Sequence, residues 1–319
     1  MLAHVILLVI SLVLLYFGAE WLVSGAARIA AHLGVRPLIV GLVIVGFGTS
    51  TPELVVSGLA SFNGHSQTAL GNVLGSNIAN SGLILALAGL IRPMKSDLGL
   101  LRREGPFMVL LTIVFWALAW TGGYSRVVGF ASLASLAIFV LFTLRWANRQ
   151  QPNVEVEFVE FQKAKRITTD APLLPQVGFV IIGLALLLGG GELLVNVAVE
   201  IARHLGVSEH VIAITVISIG TCVPELATSI VAALRGQGDI TIGNVIGSNI
   251  FNLLGVLGLS IAIRPIEISA GIRNFDMLWM VGFAILTFVF LHRGRRLSRW
   301  DGGILLAVYI VFLLSVARR

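Results

Sequence analysis

A chain of 319 residues that is 57% hydrophobic and 12% charged carries about half the charge usual in soluble domains, roughly 25%, which excludes a water-soluble globular protein. The sequence pI near 10.2 does not mark a nucleic-acid binder, because the basic residues cluster between apolar runs and read as topology signals. The single cysteine, Cys222, excludes an internal disulfide and a cysteine-based zinc cluster. Apolar runs of about 20 residues, the length that crosses a ~30 Å hydrocarbon core as helix, predict ten spans. They fall at roughly 2–24, 36–61, 67–91, 106–121, 127–146, 174–199, 207–233, 240–263, 276–291 and 302–317. The first run lacks the basic flank of a secretory signal and is expected to persist as a helix.

The long polar interval 147–173 holds Glu155, Glu157, Glu160, Lys163, Lys165, Arg166 and Asp170. It reads as a linker between two five-helix units, 1–146 and 174–319. Of the 22 Lys and Arg residues, 16 lie in the loops after spans 1, 3, 5, 7 and 9 and 6 on the opposite side. The positive-inside rule then places those loops and the linker in the cytoplasm and both termini outside a cell membrane. Five is an odd number of crossings, so the second unit must enter from the opposite face. The expected fold is all-α: ten transmembrane helices as two inverted repeats related by a pseudo-two-fold axis in the membrane plane.

The two units share sequence at a constant offset of 172 residues. Gly48-Thr49-Ser50-Thr51-Pro52-Glu53 returns as Gly220-Thr221-Cys222-Val223-Pro224-Glu225, and Gly71-Asn72-Val73-Leu74-Gly75-Ser76-Asn77-Ile78-Ala79-Asn80 returns as Gly243-Asn244-Val245-Ile246-Gly247-Ser248-Asn249-Ile250-Phe251-Asn252. Glu20 and Glu192, and Arg92-Pro93 and Arg264-Pro265, keep the same offset. Thr49, Glu53 and Ser57 share one helical face, as do Thr221, Glu225 and Ser229. Asn72, Ser76 and Asn80 form a second polar stripe, repeated by Asn244, Ser248 and Asn252. Pro52 and Pro224 lack an N–H, so the turn preceding each is expected to loosen and free a carbonyl. In a membrane such a carbonyl must face protein, water or an ion.

Electrostatics decide the chemistry. Glu53 and Glu225 lie deep in their spans, and spans 2, 3, 7 and 8 hold no Lys or Arg away from their ends. A charge at the bilayer centre costs at least about 2.5–3.5 kcal/mol. The pair must therefore be protonated or neutralised by cations from solution. Two carboxylates offer up to four oxygens and Thr49 and Thr221 add two, giving about six, within the range Ca²⁺ prefers. None of the six histidines falls in the polar stripes, which disfavours zinc or copper. Ca²⁺, Na⁺ and H⁺ remain, with K⁺ and the reluctantly dehydrated Mg²⁺ behind them.

These paired G-T-S-x-P-E and G-N-x-x-G-S-N-x-x-N motifs resemble the alpha repeats of the calcium/cation antiporter superfamily, especially its prokaryotic sodium/calcium exchangers. The resemblance covers essentially the whole chain. It implies alternating access, with cytoplasmic Ca²⁺ expelled against inward Na⁺ and ions bound between helices 2, 3, 7 and 8. It also implies Glu53 and Glu225 as shared ligands, with Thr49, Thr221, Ser50, Ser76 and Ser248 coordinating and carbonyls near Gly46 and Ser218 completing Na⁺ sites. Two positions depart from the family pattern. Cys222 stands where the motif usually has Ser, a softer and poorer Na⁺ ligand. Asn252, like Asn80, stands where some members have Asp, which leaves two carboxylates and argues against K⁺ co-transport.

The remaining polar residues have plainer readings. Glu20 and Glu192 are expected near span ends, reaching headgroup water, and Trp21, Trp146 and Trp300 as an interfacial belt. Ser57 and Ser229 bond either their own helix backbone or an ion. Asn72, Asn77, Asn244 and Asn249 either join helices or touch ions. The Gly71/Gly75 and Gly243/Gly247 pairs are packing devices, and Cys222 a small packing residue. The function expected is a secondary antiporter exporting Ca²⁺ against Na⁺. Its alternatives are a Ca²⁺/H⁺ or K⁺-linked antiporter, a cation channel lined by the same carboxylates, and an intramembrane hydrolase. No nucleotide motif supports ATP-driven pumping. Neither enzymatic activity, a cofactor, nucleic acid nor an obligatory protein partner is expected; the partners are the lipid bilayer and inorganic cations.

Overall fold

The computed structural model describes residues 2–33, 37–95, 98–147, 173–204, 220–293 and 296–318. The 147–173 interval expected as a linker lies almost wholly outside them, as does the first part of the seventh expected span. Nearly every described element is helical. Eight helices are long and apolar enough to cross a membrane, and one further pair, Gly41–Thr49 and Thr51–Phe62, meets that test jointly but is bent by 48°. A shorter apolar helix covers Val223–Leu234. The outer helices expose apolar side chains such as Val5, Phe17, Phe130, Ile138 and Ile181, as a lipid-facing surface requires.

The first element, α1 (Leu2–Leu33), runs antiparallel to a later helix, α9 (Leu173–His204), along most of its length. Their backbones touch through glycine. A Cβ on Gly18 would sit 2.8 Å from Leu187 N, and one on Gly183 would sit 2.6 Å from Leu22 N. Each helix is longer than its expected span, by nine residues at Leu33 and five at His204. Glu20 and Glu192 stand at least twelve residues from either end of these long helices. Trp21 is likewise mid-helix and packs edge-on against Phe179.

The chain next forms α2 (Pro37–Val40), a π-helical turn (Gly41–Val45) and α3 (Gly46–Thr49), breaks at Ser50, and resumes as α4 (Thr51–Phe62). The break falls before the proline. Pro52 occupies the first turn of α4, where its missing N–H removes nothing. Cys222 repeats this as the non-helical residue ahead of α10 (Val223–Leu234), with Pro224 in the first turn. Both glutamates thereby lie in the first turn of a helix, the end whose partial positive charge favours a carboxylate.

The third expected span is α5 (Ser66–Ala79), a π turn (Asn80–Ile84) and α6 (Leu85–Ile91). Its counterpart is α11 (Gly238–Phe251), a π turn (Asn252–Leu257) and α12 (Gly258–Ile263). The two π turns stand 172 residues apart, and such wide turns gather at functional sites. These inner helices are 72% and 83% buried, against 22–39% for the peripheral ones. The periphery comprises α7 (Leu98–Leu118), α8 (Arg126–Ala147), α13 (Met277–Arg293) and α14 (Arg299–Ala317). Here α7 packs on α13, α8 on α12, and α14 on α6.

Two short antiparallel ladders tie the connections together. β1 (Met94–Lys95) pairs with β4 (Arg296–Leu297), and β2 (Gly123–Tyr124) pairs with β3 (Ile266–Glu267). The connection after the third expected span therefore lies beside that after the ninth, and the one after the fourth beside that after the eighth.

Of the glycine pairs, Gly247 makes the closest crossing. Its Cβ would stand 2.2 Å from the carbonyl oxygen of Leu42. Among the described residues nothing lies within 4 Å of a Cβ on Gly71 or Gly75, and Ile214, the counterpart of Leu42, is outside them. Gly247→Ala should thus force α11 away from the 41–45 turn and lower stability by about 1–3 kcal/mol. Gly282→Ala, on the exposed side of α13 with nothing within 4 Å, should be neutral or stabilising. Thermal denaturation of both variants in detergent checks this, and equal melting temperatures would contradict it.

Candidate cation site

At the centre of the molecule the broken helix α3–α4 and the turn leading into α10 meet the polar stripes of α5 and α11. Glu53 and Glu225 are each 1% exposed. Ser50 Oγ donates to Glu225 Oε1 at 3.3 Å, and Ser76 Oγ donates to Glu53 Oε1 at 3.5 Å. Cys222, the counterpart of Ser50, turns its Sγ to Ser76 Oγ at 3.3 Å instead. Ser248, the counterpart of Ser76, donates to the carbonyl of Gly46 at 3.3 Å. Thr49 Oγ1 lies 3.1 Å from Asn244 Oδ1, and Thr221 Oγ1 lies 3.3 Å from Asn72 Oδ1. Ser218 lies outside the described residues. Every other residue expected as a ligand belongs to this one cluster.

The hydrogen bonds decide several open readings. Asn72 and Asn244 donate to Ser57 and Ser229, each at 3.0 Å. Through these bonds the serines fasten α4 to α5 and α10 to α11. Asn77, Asn80, Asn249 and Asn252 form a cross-linked group. Asn80 Nδ2 donates to Asn249 Oδ1 at 3.1 Å, Asn252 Nδ2 donates to Asn77 Oδ1 at 3.1 Å, and Asn249 Nδ2 reaches Ser81 Oγ at 3.0 Å. Two methionines that sequence reasoning passed over close the group. Met108 Sδ lies 3.6 Å from Asn249 Nδ2 and Met280 Sδ lies 3.8 Å from Asn77 Nδ2. The available signal was their spacing: among five methionines, these two stand 172 apart.

What is left over defines the chemistry. Glu53 Oε2, Glu225 Oε2, Asn80 Oδ1 and Asn252 Oδ1 are buried and have no hydrogen-bond partner among the described residues. All four are acceptors, in two pairs of positions 172 apart. A buried acceptor without a donor carries a desolvation penalty of about 1–3 kcal/mol, more when charged. The ion pairs Arg235–Glu20, Arg103–Glu104, Arg293–Asp301 and His4–Glu200 lie away from this cluster. Hydroxyl, amide and carboxylate oxygens with no thiolate–imidazole set suit hard cations.

Comparison with known proteins agrees with this chemistry. The family described as sodium/calcium exchanger protein matches residues 3–145 and 175–317, two stretches offset by the same 172 residues. A putative antiporter, CaxA of Alkalimonas amylolytica, is 37% identical over 313 residues, covering 97% of each chain. The sodium/calcium exchanger MaX1 of Methanosarcina acetivorans is 31% identical over 97% of each chain. Among solved structures, the sodium-calcium exchanger NCX_Mj, soaked with Na⁺ and Ca²⁺, superposes with a TM-score of 0.84 at 31% identity over 98% of each chain. A buried oxygen cluster short of positive charge, built by two copies of one motif on a shared fold, has its explanation there: the chain belongs to the sodium/calcium exchanger family of membrane cation antiporters.

Proposed function

We propose that this protein exports Ca²⁺ from the cytoplasm in exchange for Na⁺ by alternating access, as ten spans in two inverted five-helix repeats (1–146 and 174–319). The observation that carries the reading is the set of four partnerless acceptors on Glu53, Glu225, Asn80 and Asn252. Two carboxylates buried without an internal cation need the charge that Ca²⁺ or several Na⁺ ions supply. Thr49, Thr221, Ser50, Ser76, Ser248 and the carbonyls of Gly46 and Ser218 add oxygens around them. Since both ions neutralise one pair, they compete, and competition at a single site is what couples their movements. The names of CaxA and MaX1 and the Na⁺- and Ca²⁺-soaked relative support the choice of ions. The paired connections at β1–β4 and β2–β3 and the 16-to-6 bias in basic residues support the topology, with both termini outside and the central linker cytoplasmic.

Glu53→Gln and Glu225→Gln should each abolish Ca²⁺ exchange while the protein still folds. Each removes half the charge that replaces the hydration of Ca²⁺ and relieves a buried carboxylate. ⁴⁵Ca²⁺ uptake into proteoliposomes with Na⁺, K⁺ or H⁺ gradients imposed singly tests this. Robust flux in either variant refutes the shared site, and flux driven by protons alone reassigns the coupling ion.

An exchange of three Na⁺ for one Ca²⁺ moves one positive charge per cycle, worth about 2.3 kcal/mol per 100 mV. An inside-negative potential set with K⁺ and valinomycin should then speed Na⁺ entry coupled to Ca²⁺ exit. Indifference to voltage means electroneutral exchange.

Cys222 offers sulfur where its counterpart offers the Ser50 hydroxyl. Cys222→Ser should lower the Na⁺ concentration for half-maximal exchange, by up to about tenfold, the equivalent of roughly 1.4 kcal/mol. An unchanged Na⁺ dependence would show that the thiol takes no part in Na⁺ binding.

A further inference from the structure

Outside the central cluster, Glu20 and Glu192 also place carboxylates within helices long enough to cross a membrane. They occupy equivalent positions, 172 apart, on the paired helices α1 and α9. An ionisable group in such a helix needs a charged partner or contact with water. The two positions meet that need differently.

Glu20 is mostly buried, its side chain 16% exposed, and is ion-paired with Arg235 at the C-terminal end of α10. Ser24 Oγ also donates to it, at 3.4 Å. The residue that corresponds to Arg235 in the first half is Asn63, so no equivalent cation exists for Glu192. Glu192 is exposed, and no hydrogen bond or ion pair to it is found among the described residues. It lines a cleft of about 320 Å³ between α4, α9 and α10, together with Thr51, Asn196, Gly220, Thr221 and Pro224. Thr221 and Pro224 flank the turn that leads into α10 ahead of Glu225. Thr221 is half-buried there, whereas its counterpart Thr49 is fully buried at 0%.

We propose that the cleft at Glu192 is the open mouth of the ion path, with the Glu192 carboxylate as a first binding station for metal cations, and that Arg235 occupies and shuts the matching station at Glu20. The inference rests on the exchanger reading. It adds a site on α9 and an ordering of the two ends: one uncompensated carboxylate collects cations, and its equivalent is silenced by a built-in cation. An uncompensated carboxylate in a low-dielectric cleft focuses the field and raises the local cation concentration by tenfold or more. The ion then passes Thr221 to the Glu53–Glu225 pair. When the path opens at the other end, Arg235 must leave Glu20, so that end captures cations less readily than the Glu192 end.

Two measurements test this. Glu192→Gln in oriented vesicles should raise the apparent KM for Ca²⁺ about threefold to tenfold at one membrane face only, and weaken its dependence on ionic strength at that face. Equal changes at both faces, or none at either, overturn the proposal. Independently of flux, Glu192→Cys in a Cys222→Ser background should react with a charged, membrane-impermeant methanethiosulfonate from that same face, and Ca²⁺ or Na⁺ should slow the reaction. Glu20→Cys with Arg235 intact should react at least tenfold more slowly. A Glu192→Cys thiol unreactive from both faces refutes the open mouth. Sided labelling in a protein that carries no Ca²⁺ would instead support the mouth and sink the exchanger reading.

Discussion

Two carboxylates buried at the centre of the molecule, with no basic partner found among the described residues, are the constraint on which the rest of this structure depends. Ionised carboxylates taken from water lose several kcal/mol each even after relaxation. The dipole of the helix turn beneath each glutamate returns at most about 2 kcal/mol, and one weak hydroxyl donor apiece, at 3.3 and 3.5 Å, returns about 1.5–3. The protein alone does not balance the charge. A pair of amides at 53 and 225 would fold with less strain, so the carboxylates are there to be neutralised from outside. The broken helices, the π turns and the small residues at the crossings all act to bring oxygens rather than cations to that point.

Many of the contacts around the pair cross between the halves. Asn80 reaches Asn249 while Asn252 reaches Asn77, and Thr49 meets Asn244 while Thr221 meets Asn72. The periphery follows the same rule. Arg92 lies over Gly236 and donates to the carbonyl of Leu234, and Arg264 lies over Gly64. Both glycines have positive φ, 67° and 90°, a left-handed conformation that other residues adopt only with strain. The second half does not close its own site, since Glu225 takes its side-chain hydrogen bond from Ser50 of the first. Interleaving of this kind makes the cluster one cooperative unit.

Much of this was legible in the sequence because the duplication repeats nearly all of the polar cluster. The carboxylates, the helix breaks and the polar stripes were each readable twice, and agreement at one offset carries more weight than any single motif. What escaped the reading depends on tertiary contact. Helices α1 and α9 run nine and five residues past the expected span ends, packed against each other along most of their length. The π turns at Asn80 and Asn252 leave no mark in hydrophobic periodicity. Ser57 and Ser229 could not be assigned, because their partners come from the next helix. Met108 and Met280 looked like ordinary core residues, and only their contact with the asparagine group gives their spacing meaning.

The informative positions are those where the duplication has lapsed. A perfectly repeated chain would offer its site identically to both sides, with no means of treating them differently. Here Ser50 answers to Cys222, and Asn63 answers to Arg235. The first difference changes a polar atom in the cluster from oxygen to sulfur, a poorer partner for hard cations. The second places a guanidinium, a permanent cation, on one of two equivalent carboxylates and leaves the other exposed. Neither substitution disturbs the fold: Cys222 packs at 3% exposure and Arg235 satisfies a charge that lipid would penalise. The repeated residues thus build a buried set of oxygen acceptors from both halves, while these unrepeated ones make its two ends chemically different.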